Sequence, residues 1–168
     1  MRWWHSPSAR SALAAPLAVA VLLLTVVFGG GTTLLQPTAV AAAQGQSKVH
    51  FERSVVKVTN RTRARHDRAR LRRQACLDRF AQRQARRLAR IHRLEHQPLD
   101  PILDECGLWS VGENLAMGYV DARGAVRGWM GSPDHRANVL RPTFRLIGVG
   151  AAQDHQGIWW VAQVFGRR

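Results

Sequence analysis

Arg145 to Gln153 reads RLIGVGAAQ, Gly157 to Gly166 reads GIWWVAQVFG, and DHQG carries the chain from one to the other. Both stretches are rich in β-branched and aromatic residues, and a short polar segment with a glycine joins them, so together they predict an antiparallel hairpin. Along the second stretch Trp160 and Val164 fall on one face, and Trp159, Val161 and Phe165 on the other. A strand with large apolar groups on both faces is central and covered on both sides. The fold question is what covers each face.

Upstream, Ala75 to Arg93 supplies one cover. Leu77, Phe80, Ala81, Gln84, Ala85, Leu88 and Ile91 recur at helical spacing, while Arg79, Arg83, Arg86, Arg87, Arg90 and Arg93 take the opposite face. This predicts an amphipathic helix with an arginine back. Val55 to about Arg65 reads as a first helix, against the β-branched bias of VVKVTNRT. VDARGAVRGWMG predicts a helix with Val126, Trp129 and Met130 inward, with the three tryptophans Trp129, Trp159 and Trp160 as core aromatics. SPDHRANVLRP then places Ser132 as N-cap, Pro133 at the first helical position and Pro142 beyond the end. Helices before, between and beside strands define an α+β layered domain.

Ahead of this domain, Ala12 to Phe28 carries no charge, Arg2 and Arg10 precede it, and AVAAAQ (Ala39 to Gln44) follows. Basic, apolar and small-residue regions in that order form an export signal. An uncleaved anchor is the other reading, since the run is near the lower length for a spanning helix. Either way the rest of the chain is delivered outside the cytoplasm. The organisation expected is a signal or anchor over 1–43, a polar linker over 44–54 and one domain over 55–168.

The formal charge of +14 and pI near 11.7 invite a polyanion or membrane-surface reading. The charge is concentrated: Arg53 to Arg93 holds fifteen Lys or Arg against two Asp. A solvated cationic face is the plain alternative. The basic segment lacks the aromatics that would stack bases, which argues against sequence-specific nucleic-acid binding. Cys76 and Cys106, an even pair in an exported chain, are read as a disulfide, with two unpaired buried thiols as the alternative. No second cysteine lies near either one, so a thiolate zinc site is not expected.

The combination GENLAMGY, WMGSPDHRANVL, IGVG and WWVAQVFG, in that order, resembles the CAP superfamily, which comprises the cysteine-rich secretory proteins, antigen 5 and the pathogenesis-related 1 proteins, and most of all its bacterial secreted branch. VTNRTRARHDRARL and CLDRFAQRQARRLA resemble the family's first two helices, so the likeness spans about Val55 to Arg168. The resemblance implies an α-β-α sandwich with a central antiparallel sheet. It also implies a cleft of two histidines and two acidic residues that binds a divalent metal in some members. Carried over, the acid of the GEN motif is Glu113, the histidine of HRANVL is His135, and the upstream histidine is His96 in LEHQPL. The second acidic position falls on Ser132, which leaves a triad.

Two imidazoles and a carboxylate suit Zn²⁺, with water or a ligand oxygen in the fourth place. The cleft expected is therefore His96, Glu113, Ser132 and His135, with Gln163 facing it from the last strand, and the metal set is His96, Glu113 and His135. Plainer readings stay open. Glu113 is also explained as a buried acceptor in a turn, His135 as a first-turn helix residue, and His96 competes with His92 one helical turn earlier. Gly112 is read as a close backbone approach or a positive φ, Asn114 as a local side-chain to backbone bond, and Asn138 as holding a turn.

No G-x-S-x-G elbow, Walker motif or dinucleotide glycine pattern is present, and HRLEH lacks the glutamate placement of a zincin. Three functions follow. The first is an exported monomeric binding domain for a small or lipid-like ligand, the resemblance implying no general enzymatic activity. The second is a metal-dependent hydrolase with Glu113 activating water. The third is a binder of anionic cell-surface polymers or lipid headgroups through the arginine back.

Overall fold

The computed structural model describes residues 47–168. In chain order the elements are α1 (Lys48–Ala64), β1 (Arg72–Arg73), α2 (Ala75–Ile91), α3 (Asp100–Cys106), β2 (Ser110–Met117), α4 (Ala122–Gly131), α5 (Pro133–Leu140), β3 (Leu146–Gln153) and β4 (Trp159–Arg167). The stretch read as signal or anchor lies outside the described residues. Among those described, no helix is long and apolar enough to cross a membrane.

The expected hairpin is β3–β4, antiparallel from Leu146 opposite Gly166 to Gln153 opposite Trp159. Its turn is organised by Asp154, whose Oδ1 accepts from the N–H groups of Gln156 and Ile158 at 2.9 and 3.0 Å. Gly157 takes the positive φ of +77° that the turn demands. The other edge of β4 pairs antiparallel with β2, giving the sheet order β1-β3-β4-β2. β4 is therefore central, as its two apolar faces require.

The sheet is mixed, not wholly antiparallel, because β1 runs parallel to β3. Two arginines carry no strand periodicity, so sequence pattern could not reveal β1. Its brevity also leaves the β3 edge open beyond Ile147. There the N–H groups of Val149 and Ala151 donate to Asp78 Oδ1 (3.0 Å) and Glu52 Oε1 (3.2 Å). Arg73 holds both carboxylates, at 2.8 Å from Asp78 and 3.5 Å from Glu52. Burial raises the pKa of Glu52, against the backbone bond and the nearby cations. Two side chains thus close a sheet edge that would otherwise template another strand.

Each face of the sheet has its own core. Trp160, Ala162, Val164 and Leu115 pack with Leu77, Phe80, Ala81 and Leu88 of α2. Trp159, Val161 and Phe165 pack on the other side with α1, α4 and α5, through Phe51, Val126, Trp129 and Val139. This is the α-β-α sandwich. On the α2 side the approach is so close that Gly148 and Gly150 lie against helix backbone.

Three expectations are corrected here. Helix α1 begins at Lys48, with Ser47 as N-cap, and it buries Phe51 and Glu52. The stretch 48–54 is therefore part of the domain and not linker; Phe51 stacks on Trp159 at 4.9 Å, a non-local partner that its polar surroundings do not reveal. Ile91, placed on the inward face of α2, is exposed because the helix ends there, His92 taking a left-handed φ of 50°. Arg63, read within a solvated cationic face, is fully buried.

Cys76 and Cys106 form the disulfide, joining the start of α2 to the end of α3 across 30 residues of chain. Replacing both by serine should lower unfolding stability by about 3 kcal/mol, chiefly by freeing that loop in the unfolded chain. Urea denaturation measures this, and reductant should bring the native protein to the same midpoint.

Candidate functional site: a histidine and glutamate cleft at the sheet edge

The GEN motif is strand, not turn. It forms the middle of β2, the edge strand on its side of the sheet. Alternation along β2 puts Glu113 on the face of Leu115, toward α2, and Asn114 on the face of Ala116, toward α4 and α5. One strand thereby addresses both layers.

On the α2 side, Glu113 is 4% exposed. His96 Nδ1 lies 2.8 Å from its Oε2, and Gln97 Nε2 donates to Oε1 at 2.6 Å. Both come from the loop after α2, whose path is set by the left-handed His92 and by Gln84 Nε2 donating to the Glu95 carbonyl at 2.6 Å. The loop therefore delivers His96 and not His92, whose ring lies 3.5 Å from Asp154 and edge-on to Trp160. Gln97 was not singled out from sequence. Its only signal is adjacency to His96 in a loop without periodicity.

On the other side, Asn114 Nδ2 donates to the His135 carbonyl at 3.1 Å. Asn138 Nδ2 donates to the Glu113 carbonyl at 3.1 Å and to Asn114 Oδ1 at 3.0 Å. Both asparagines thus pin α5 to β2 over long sequence distances, where local or turn bonds were expected. Gly112 is the close approach foreseen: a Cβ there would stand 2.9 Å from Asn138 Oδ1 and 3.0 Å from the Phe144 ring.

The two histidines differ electrostatically. The bond to Glu113 raises the pKa of His96, and the opposite charge adds to it, against burial. Burial lowers that of His135, and the positive charge of His96 lowers it further, against Asp134. Of the two imidazoles, one is thus inclined to hold its proton and the other to lose it.

Other predicted members are placed differently. Gln163 is fully buried; its Nε2 donates to Thr59 Oγ1 at 2.8 Å and its Oε1 accepts from Asn114 at 3.4 Å. It belongs to the core and not to the cleft, because central β4 is covered on both faces. Ser132 occupies the N-cap position of α5, half-buried, but its side chain makes no capping bond. Nor do the residues assemble as the expected metal set. Among the described residues no three His, Cys, Asp or Glu side chains are grouped to hold an ion. Both Glu113 oxygens accept, from His96 and from Gln97.

Of the arginine back, Arg79, Arg83, Arg86, Arg90 and Arg93 are exposed and Arg87 is half-buried. Arg87 and Arg93 both pair with Glu95, whose pKa their hydrogen bonds lower.

An α-β-α sandwich with a histidine-glutamate pair at the GEN edge strand defines a CAP-type domain. The sequence profile of the CAP family, the cysteine-rich secretory proteins, matches residues 56–164, and the chain belongs to that family. Uncharacterized protein YkwD of Bacillus subtilis is 29% identical over 144 residues, which covers 81% of this chain and 52% of YkwD. The chain thus spans about half the length of that relative. Among solved structures, an extracellular SCP-domain protein from Bacillus anthracis superposes with a TM-score of 0.65 at 23% identity, over 72% of this chain and 41% of that one. An outer surface protein from Borrelia burgdorferi gives 0.67 at 19% identity, over 73% of this chain and 96% of that one.

Proposed function

We propose that this is an exported CAP-domain binding protein whose cleft receives the acceptor group of a small or lipid-like ligand without turning it over. The observation that carries this reading is the double engagement of Glu113. A general base needs a free oxygen aimed at the water it activates. Here both oxygens are occupied, and the position of a second acid is Ser132. Glu113 instead orients His96: with Nδ1 held by the carboxylate, the protonated ring turns Nε2–H outward as a donor. Export is supported by the charge-free run at 12–28 and by relatives whose names place them outside the cell or on its surface.

The test is imidazole NMR across pH. His96 should titrate above the ordinary value of about 6.5, and Glu113→Gln should return it there. The sign for stability follows. The charged contact contributes fully below about 6.5 and is lost as pH rises through the raised folded value, so thermal stability should fall over that interval in the native protein and not in Glu113→Gln. Hexanoate and decanoate, as probes, should shift the His96 signals and lose binding in His96→Ala. Hydrolysis of chromogenic esters that disappears in Glu113→Gln would overturn the reading in favour of catalysis.

A further inference from the structure

A groove of about 580 Å³ runs between α2 and the loop that follows it, lined by Arg83, Arg86, Arg87, Arg90, His96 and Gln97. That volume falls in the range of ligand pockets. The four arginines stand at i, i+3, i+4 and i+7, so they follow one helix face over about 10 Å. Among the described residues one carboxylate, Glu95, lines the groove, and it is taken by Arg87 and Arg93. Among the described residues Arg83, Arg86 and Arg90 have no ion-pair partner. The Arg83 guanidinium is held over the Phe80 ring at 4.1 Å, which limits the freedom it would lose on binding.

Arg87 supplies a second, independent observation. Its Nη2 pairs with Glu95, while its Nη1 is buried and has no hydrogen-bond partner among the described residues. A buried donor left unpaired is costly and uncommon. Because that atom has no accessible surface, the half-buried guanidinium must turn before an oxyanion in the groove can satisfy it.

We propose that this groove binds a soluble linear ligand carrying two or more phosphate-type oxyanions in series. Arginine forks match the paired oxygens of such groups, and their spacing along the helix suits a row of them better than a single ion. The charges line a concavity between a helix and a loop, whereas a membrane surface would call for cations on a projecting face. Among the described residues His96 is the one aromatic that lines the groove, so the recognition is of the phosphate row and not of bases. The inference goes beyond the Glu113 cleft, with which the groove shares His96 and Gln97, and rests on the arginines of α2.

The experiment is calorimetric titration of the full chain with tripolyphosphate at several salt concentrations. Saturable binding is expected. The triple variant Arg83→Ser, Arg86→Ser, Arg90→Ser should weaken it by roughly 30-fold or more and flatten its salt dependence. An equal charge change elsewhere, Arg61→Ser, Arg65→Ser, Arg70→Ser, should cost less than about threefold, and both triples should keep the native circular dichroism. Equal losses in the two triples, or no saturable binding, would overturn the proposal. So would capture by phosphatidylglycerol vesicles without tripolyphosphate binding, which would make the surface a membrane contact.

Discussion

Arg63→Met should destabilise the domain by about 3–5 kcal/mol, a large fraction of the roughly 5–15 kcal/mol that holds a domain folded. Arg63 is fully buried, yet among the described residues no carboxylate acts on it. Its Nε donates to the Ala69 carbonyl at 2.8 Å, Nη1 to those of Val139 and Arg141 at 2.7 and 3.1 Å, and Nη2 to that of Phe144 at 3.3 Å. Val139 lies in the last turn of α5 and Arg141 is its C-cap, so the cation sits where helix carbonyls concentrate negative potential. Burial pushes the guanidinium pKa down to about 10, which still leaves it charged at neutral pH. Methionine fills much of the volume but leaves the carbonyls of Ala69, Val139 and Arg141 without their donor, while that of Phe144 keeps Arg145 Nη1 at 2.9 Å. Arg63→Lys should recover only part of the loss, because a single ammonium cannot span the same fork. Urea denaturation of both variants decides it: a methionine variant within about 1 kcal/mol of native would mean that water replaces the guanidinium without cost.

Gly148→Ala should be comparably damaging through backbone contact. A Cβ at Gly148 would stand 2.2 Å from the carbonyl carbon of Leu77 and 2.4 Å from the nitrogen of Asp78. At Gly150 it would stand 2.3 Å from the carbonyl carbon of Ala81 and from the nitrogen of Gln82. These are main-chain atoms of α2, so no rotamer change relieves the clash and the helix must lift off the sheet. Overpacking typically costs about 1–3 kcal/mol, and this geometry belongs at the top of that range, on the order of 3 kcal/mol per site. Tm should fall by about 10 °C for Gly148→Ala, and the double variant with Gly150→Ala should not fold cooperatively. Gly131→Ala is the control, since nothing lies within 4 Å of an added Cβ there. If Gly148→Ala melts with the control, α2 is not seated as described.

The glycines show why IGVG was legible as a motif before its reason was. From sequence, two glycines in a β-branched strand weaken it. Only the packing of α2 across that strand explains why a side chain there is excluded. The motifs pointed to Glu113, and the loop after α2 brings His96 and not His92 against it. Gln163 was misplaced, since a polar residue on an otherwise apolar strand reads as facing a cleft. Its amide instead pairs with Thr59, 104 residues away.

Periodicity and turn chemistry encode locally the β3–β4 hairpin, the two apolar faces of β4, the amphipathic α2 and the layered class. The partners of the polar groups emerge only on folding. Arg63 among fifteen cations, Gln97 beside His96, Asn114 and Asn138 between β2 and α5, and Glu52 of α1 at the open edge of β3 carry no pattern that names their partners. Each is fixed by a hydrogen bond to a distant part of the chain. The physical reason is that apolar burial is non-directional and repeats with the backbone, so it leaves a periodic trace. A hydrogen bond is directional and singular, so its partner is known only once the chain has folded.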